Sequence, residues 1–171
     1  MTQPPNIQGL STDFVKETLQ EIRHPFEVAV YSSENYYNFG AILRVAHNFL
    51  VRKVWMVDFS DFYKKASMGT HRWETIQEAT LAEFLELHKD RNIVAFERRP
   101  DLDSEDIRHF QYPEDPILFF GSEKFGVPER ILEQAHSVVS IPVFGVHNDY
   151  NQAVAAGIGM YDFISKVSQH E

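Results

Sequence analysis

Along the chain, short unbroken apolar runs take turns with longer stretches in which apolar residues recur every three or four positions. The run Phe26 to Tyr31 is nearly all apolar and includes β-branched Val28 and Val30, which predicts a strand. Val54 to Val57, Ile93 to Phe96, Ile117 to Phe120 and Val138 to Val143 read the same way. The helical periodicity falls between them. Ser11 to Arg23 is amphipathic, with Ser11 or Thr12 as N-cap and Phe14, Leu19 and Ile22 apolar. Asn38 to Leu50 places Ile42, Leu43, Ala46 and Phe49 on one face behind an Asn38 cap. Glu78 to Lys89, Glu129 to Ala135 and Asn151 to Val167 complete the helices. Strands that are continuously apolar and separated by helices predict an α/β fold, a mostly parallel sheet flanked by helices. Ligands in such sheets bind beyond the carboxyl ends of the strands, which singles out the loops after Tyr31, Phe96, Phe120 and Val143. No repeat, low-complexity tract or linker splits the 171 residues, so one domain is expected.

Composition narrows the function classes. With 43% hydrophobic and 24% charged residues the chain is globular rather than disordered. No apolar run is long enough to span a bilayer, and the first fourteen residues lack the basic start and apolar core of a signal peptide. The chain has no cysteine, which excludes disulfides, thiolate chemistry and Cys-ligated zinc and fits a reducing cytoplasm. His24, His47, His71, His88, His109, His136, His147 and His170 show no close ligand spacing, so no metal is expected. A net charge of −9 argues against a protein that coats nucleic acid indiscriminately. Local basic groups, Lys64, Lys65, His71 and Arg72 and then Arg98 and Arg99, leave room for one docking site.

Three segments carry candidate chemistry. In the first, Asn38, Gly40 and Arg44 stand where a strand hands over to a helix. The spacing puts Arg44 near the buried face, where a guanidinium needs an anionic or carbonyl partner, and a structural carboxylate is the simpler reading. In the second, the strand ending at Phe120 runs into Gly121, Ser122, Glu123, Gly126 and Val127, and Pro128 stands where it can open a helix. This is neither a phosphate loop nor a dinucleotide fingerprint. In the third, Ile141 and Pro142 end a strand, and a polar loop with Asn148, Asp149, Asn151 and Gln152 leads into a helix rich in alanine and glycine. Gly157 and Gly159 each weaken an isolated helix by about 1 kcal/mol relative to alanine, which makes sense if another backbone packs against that face.

Together these segments resemble the SpoU (TrmH-like) family of the SPOUT superfamily of RNA methyltransferases. The motif N-x-G-x-x-x-R is matched by Asn38, Gly40 and Arg44, and G-S/T-E-x-x-G-L/V by Gly121, Ser122, Glu123, Gly126 and Val127. The I-P and S-L-N-x-x-x-A elements are matched by Ile141, Pro142, Asn151 and Ala155, and a fourth stretch by Ala66, Gly69 and Trp73. The resemblance runs from Phe26 to Ile164 in order. Asp149, Tyr150 and Lys124 depart from the usual serine, leucine and glycine.

The resemblance implies a C-terminal trefoil knot, a feature that periodicity does not disclose and that general chain rules disfavour. It implies residues 1–25 as an N-terminal helical extension, 116–168 as the knot and cofactor region, and no appended RNA-binding domain. The implied cofactor is S-adenosylmethionine, held near Phe96, Gly121, Ile141 and Tyr150. The implied catalytic group is Arg44 with Asn38, Glu123 and Asn151, methylating a ribose 2′-hydroxyl. Arg44 either positions the adjacent phosphate or assists deprotonation. The implied partners are an RNA substrate, tRNA ahead of rRNA, and a second copy of the chain packed through its C-terminal helices. A non-catalytic SPOUT-fold binding protein with a degenerate pocket is the alternative.

Overall fold

The computed structural model describes residues 9–32, 35–147 and 149–167. Asn148 and His170 lie outside the described residues, as do residues 1–8 of the expected N-terminal extension and residue 168. The elements run α1 (Thr12–Gln20), β1 (His24–Tyr31), α2 (Tyr36–Asn48), β2 (Val51–Val57), β3 (Ile76–Ala79), α3 (Leu81–Leu87), β4 (Ile93–Phe96), β5 (Glu105–Asp106), β6 (Ile117–Phe120), α4 (Glu129–Gln134), β7 (Ser137–Ser140) and α5 (Gln152–Val167). Two short 3₁₀ turns, Lys64–Ser67 and Thr70–Arg72, lie between β2 and β3. The strands form one sheet of seven in the order β3-β2-β1-β6-β4-β7-β5, every pairing parallel. The predicted α/β class and parallel sheet are both present.

Alternation along the strands builds a core on each face. Phe26, Val28 and Val30 of β1, Val94 and Phe96 of β4, and Leu118 and Phe120 of β6 share one apolar cluster with residues of α2 and α5. Their neighbours Ala29, Ile93, Ala95, Ile117 and Phe119 point the other way, into a cluster with Phe84 of α3 and Ile131 of α4. Gly159 of α5 faces the first cluster so closely that a Cβ would stand 2.9 Å from the Phe96 and Phe120 rings. The neighbour at Gly159 is thus a pair of aromatic rings rather than the backbone expected there, and a Cβ on Gly157 would meet nothing within 4 Å.

Several boundaries differ from expectation, each for a local reason. Helix α2 begins earlier because Asn35, not Asn38, is its N-cap, accepting the Tyr37 amide. Asn38 is instead buried in the first turn. The segment expected as one helix from Glu78 opens as the edge strand β3, and Thr80 then caps α3 in a reciprocal box with Glu83. Strand β7 ends at Ser140, ahead of Pro142, and β5 is a two-residue edge strand with no sequence signal. In α1 the buried residues are Val15 and Leu19, while Phe14 and Ile22 are exposed.

One buried carboxylate ties the amino ends of the strands together. Glu27, 3% exposed, accepts from Trp55 Nε1 at 2.6 Å and Arg52 Nη2 at 2.7 Å, with Arg91 at 3.4 Å. Burial pushes this carboxyl up, but the Trp55 and Arg52 hydrogen bonds and the Arg91 and Arg52 charges outweigh it and hold it below its ordinary value. A depressed folded-state pKa contributes stability above the unfolded value and loses it as pH falls through the folded one. Glu27→Gln is therefore expected to be less stable than wild type at neutral pH, the gap narrowing below about pH 4. Urea midpoints across pH measure this; a gap that is constant with pH would contradict it.

Candidate active site

The three sequence segments meet at one carboxylate oxygen. Glu123, in the loop after β6, accepts at Oε1 from Asn38 Nδ2 at 3.1 Å, from Asn151 Nδ2, and from the Gln152 amide at 3.2 Å. Asn151 Nδ2 also donates to Asn38 Oδ1 at 3.1 Å. Asn151 can reach both because its own Oδ1 accepts the Ala153 and Val154 amides, capping α5 and aiming the amino group away from the helix. Asn38 is held by its place in the buried first turn of α2. Gln152, 3% exposed, completes the junction: its Nε2 donates to Gly121 O at 2.7 Å and to Tyr31 O at 3.1 Å, tying the ends of β6 and β1 to α5.

The loop after β6 folds into a tight ring in which the Ser122 and Gly126 amides each donate to the other's carbonyl. Gly126 takes a positive φ of 66°, and Gly121 runs so close that a Cβ would stand 2.2 Å from the Gly126 carbonyl carbon. Both positions therefore require glycine. Glu97, following β4, grips this ring, its Oε2 accepting the Val127 amide at 2.7 Å.

Beside the junction lies a cavity of about 350 Å³. Phe96, Phe120, Val139 and Ile141 give it apolar walls, while Glu97, Glu123, Asp149, Arg98 and Arg99 supply charge. Gln152 lines it too, and its Oε1 is buried without a hydrogen-bond partner among the described residues. Arg99 is itself occupied by Asp101 at 3.0 Å and by Glu129. Among the described residues no group of three or more His, Asp or Glu could hold a metal ion.

The structure thus brings Phe96, Gly121, Ile141 and Tyr150 to one cavity, with Glu123 at its edge and Asn38 and Asn151 meeting Glu123. Arg44 stands apart. It lies about 9 Å further along α2 than Asn38, is exposed, and makes no hydrogen bond or ion pair among the described residues. The structural carboxylate expected to satisfy it is not there, and its place near a buried face is corrected to an exposed one. Sequence reasoning missed Glu97 and gave Gln152 no role. The polar Gln152 at the helix entrance was legible, but its bonds to Tyr31 and Gly121 span strands whose adjacency no local pattern gives.

Comparison with known proteins agrees with this architecture. The chain is 25% identical over 152 residues to the tRNA (guanosine(18)-2′-O)-methyltransferase of Thermus thermophilus, covering 86% of this chain and 78% of that one. It superposes on the A. aeolicus TrmH/SpoU tRNA modifying enzyme with a TM-score of 0.80 at 24% identity, covering 93% of this chain and 85% of that one. The AdoMet-bound rRNA methyltransferase from Sinorhizobium meliloti shares the fold with a TM-score of 0.76 at 23% identity; the match covers 87% of this chain and 60% of that longer one. Residues 25–161 match the family model, and the chain belongs to the SpoU rRNA Methylase family.

Proposed function

We propose that this protein transfers the methyl group of S-adenosylmethionine to a ribose 2′-hydroxyl of RNA, with tRNA the substrate ahead of rRNA. The observation that carries the reading is the Asn38–Glu123–Asn151 junction standing against a cavity of ligand size. The named activity of the Thermus relative, aligned over most of both chains, supports the same reaction and points to tRNA.

The cavity suits the cofactor. Phe96, Phe120 and Ile141 offer a purine an apolar wall, Glu97 and Asp149 supply acceptors for hydroxyl or ammonium groups, and Gln152 Oε1 is a buried acceptor. When bound, S-adenosylmethionine supplies an already strong electrophile. The chain's own work is then to bind and orient. Asn38, Glu123 and Asn151 hold the three turns in register as positioning residues. Arg44, exposed and without a partner among the described residues, is proposed to grip bidentately a phosphate next to the reacting ribose. An arginine stays protonated at working pH, so positioning rather than base catalysis is its assignment.

On this reading the described part of residues 1–25 forms an N-terminal extension of a single domain, and the described part of 116–168 forms a trefoil knot that holds the cofactor. The return of the chain after β7 across the carboxyl ends of β4 and β6, to tie α5 to Tyr31 and Gly121, supports it. A homodimer through α5 is part of the proposal. Val154, Gly157 and Tyr161 share one helix face, the two side chains are exposed, and a Cβ on Gly157 would meet nothing within 4 Å. No helix among the described residues is long and apolar enough to cross a membrane, and a cytoplasmic site of action completes the proposal. Calorimetry with S-adenosylmethionine, followed by transfer of labelled methyl to bulk tRNA, tests the function. Saturable binding and 2′-O-methylated product are expected; a chain that binds no cofactor would sink the reading.

A further inference from the structure

In a chain of net charge −9, most arginines are paired with carboxylates, Arg23, Arg52, Arg91, Arg99 and Arg108 among them. One face gathers four cations that have no such partner among the described residues. Lys64, Lys65, Arg72 and Arg44 are all exposed, and none makes an ion pair among the described residues. They are gathered by packing: Gly40, one turn before Arg44 on α2, lies against Ala66 and Ser67 so closely that its Cβ would stand 2.6 Å from Ala66 Cβ. The Tyr63 amide donates to Tyr36 O at 2.9 Å, fixing the start of the 3₁₀ segment to the start of α2. The positive field reaches His71, whose imidazole burial, Arg72 and Lys64 together hold below its ordinary value.

Aromatic rings stand beside these cations. Tyr36, Tyr37 and Tyr63 are 58%, 60% and 40% exposed, and the Tyr37 and Tyr63 rings meet at 4.6 Å between centroids. Tyr37 and Arg44 are seven residues apart and share a face of α2, so the tyrosine pair leads along the helix toward the arginine. Exposed single tyrosines are ordinary, but a tyrosine pair flanked by unpaired cations is what unpaired nucleotides require, a ring to stack on and positive charge for the backbone. A duplex hides its base faces and gains nothing from the rings.

We infer that the face formed by Tyr37, Tyr63, Lys64, Lys65 and Arg72 is a docking surface for an unpaired stretch of RNA, bases stacking on the tyrosines and phosphates lying on the lysines and Arg72. The inference rests on the RNA reading above and specifies it: the substrate presents its target in a loop or single strand. It also accounts for how an acidic chain engages RNA, through one local patch.

The test is fluorescence anisotropy with a short single-stranded oligoribonucleotide, a duplex of the same sequence and bulk tRNA, using the full chain. Wild type is expected to prefer the single strand to the duplex. Tyr37→Ala and Tyr63→Ala are each expected to weaken single-strand binding about tenfold. Lys64→Ala and Lys65→Ala are each expected to lower the slope of log affinity against log salt by about 0.7. Calorimetry with S-adenosylmethionine should be unchanged in all four variants, and urea unfolding unchanged in the two lysine variants, whose side chains are exposed; the tyrosine variants lose a ring contact and are expected to fall in stability by no more than about 1.5 kcal/mol. Wild-type binding to tRNA that the variants retain in full would overturn the docking surface and leave the methyltransferase reading standing. Equal affinity of wild type for duplex and single strand would overturn the stacking role. A change in oligomeric state in place of RNA affinity would reassign the face to a protein contact. Wild type that binds cofactor but no RNA at all would overturn both the surface and the RNA substrate.

Discussion

Replacing Arg44 by alanine is expected to cut methyl transfer to RNA by about 10²–10⁴-fold while leaving the fold and cofactor binding intact. The separation of the two effects follows from where the side chain sits. Arg44 is exposed, and among the described residues nothing accepts from its guanidinium, so its removal leaves no orphaned partner and changes stability by no more than about 0.5 kcal/mol. It does not line the cavity either, so S-adenosylmethionine should bind the variant as it binds wild type. Any loss of turnover then reports on the RNA side of the reaction. Arg44→Lys sharpens the assignment, because lysine keeps the charge but loses the planar fork that grips phosphate bidentately. An intermediate rate for lysine supports phosphate positioning. Wild-type turnover in the alanine variant would remove Arg44 from the mechanism.

That prediction depends on a point the sequence pattern placed wrongly. Spacing among Ile42, Leu43 and Ala46 put Arg44 near the buried face, yet Ile42, Leu43 and Ala46 are fully buried while Arg44 turns outward. A helix packed on one side tolerates a long polar residue between apolar ones when it sits at the edge of the stripe. The central strands were legible for the opposite reason: Phe26–Tyr31, Ile93–Phe96 and Ile117–Phe120 are covered on both faces, so their runs are apolar throughout save for the buried Glu27. The edge strands β3 and β5 bury little, and their sequences, Ile-Gln-Glu-Ala and Glu-Asp, carry no such signal. Polar residues at strand-to-helix junctions marked Asn38, Glu123 and Asn151. The order β3-β2-β1-β6-β4-β7-β5, which brings those three junctions together, is set by crossovers that no local pattern records.

The largest stability effect belongs to Glu74, a residue outside all the motifs. It is fully buried, accepts from Arg23 Nη1 at 2.7 Å and Nη2 at 3.3 Å, and stands 2.8 Å from His47 Nδ1. The Arg23 side chain is 1% exposed and also donates to the carbonyls of Val51 and Trp73. Removing the carboxylate in Glu74→Ala leaves a buried guanidinium without its counter-charge, which costs about 3–5 kcal/mol. Against a total of about 5–15 kcal/mol for a domain, that is a large share of the stability, read as a fall in the urea midpoint. The cost comes from the orphaned charge rather than from a strongly favourable pair, because desolvation of both ions offsets much of their attraction. A double variant, Arg23→Met with Glu74→Leu, is therefore expected to recover part of the loss, the remainder reflecting the Val51 and Trp73 carbonyls that lose their donor, and a double variant no more stable than Glu74→Ala would refute that account. The effect should also reach function. Arg23 holds the Trp73 carbonyl and Glu74 contacts His47 near the end of α2, so the pair anchors the segment that carries Lys64, Lys65 and Arg72 to the helix that carries Tyr37 and Arg44. Glu74→Ala is accordingly expected to weaken RNA binding at temperatures where the chain is still folded, with cofactor affinity the less affected of the two.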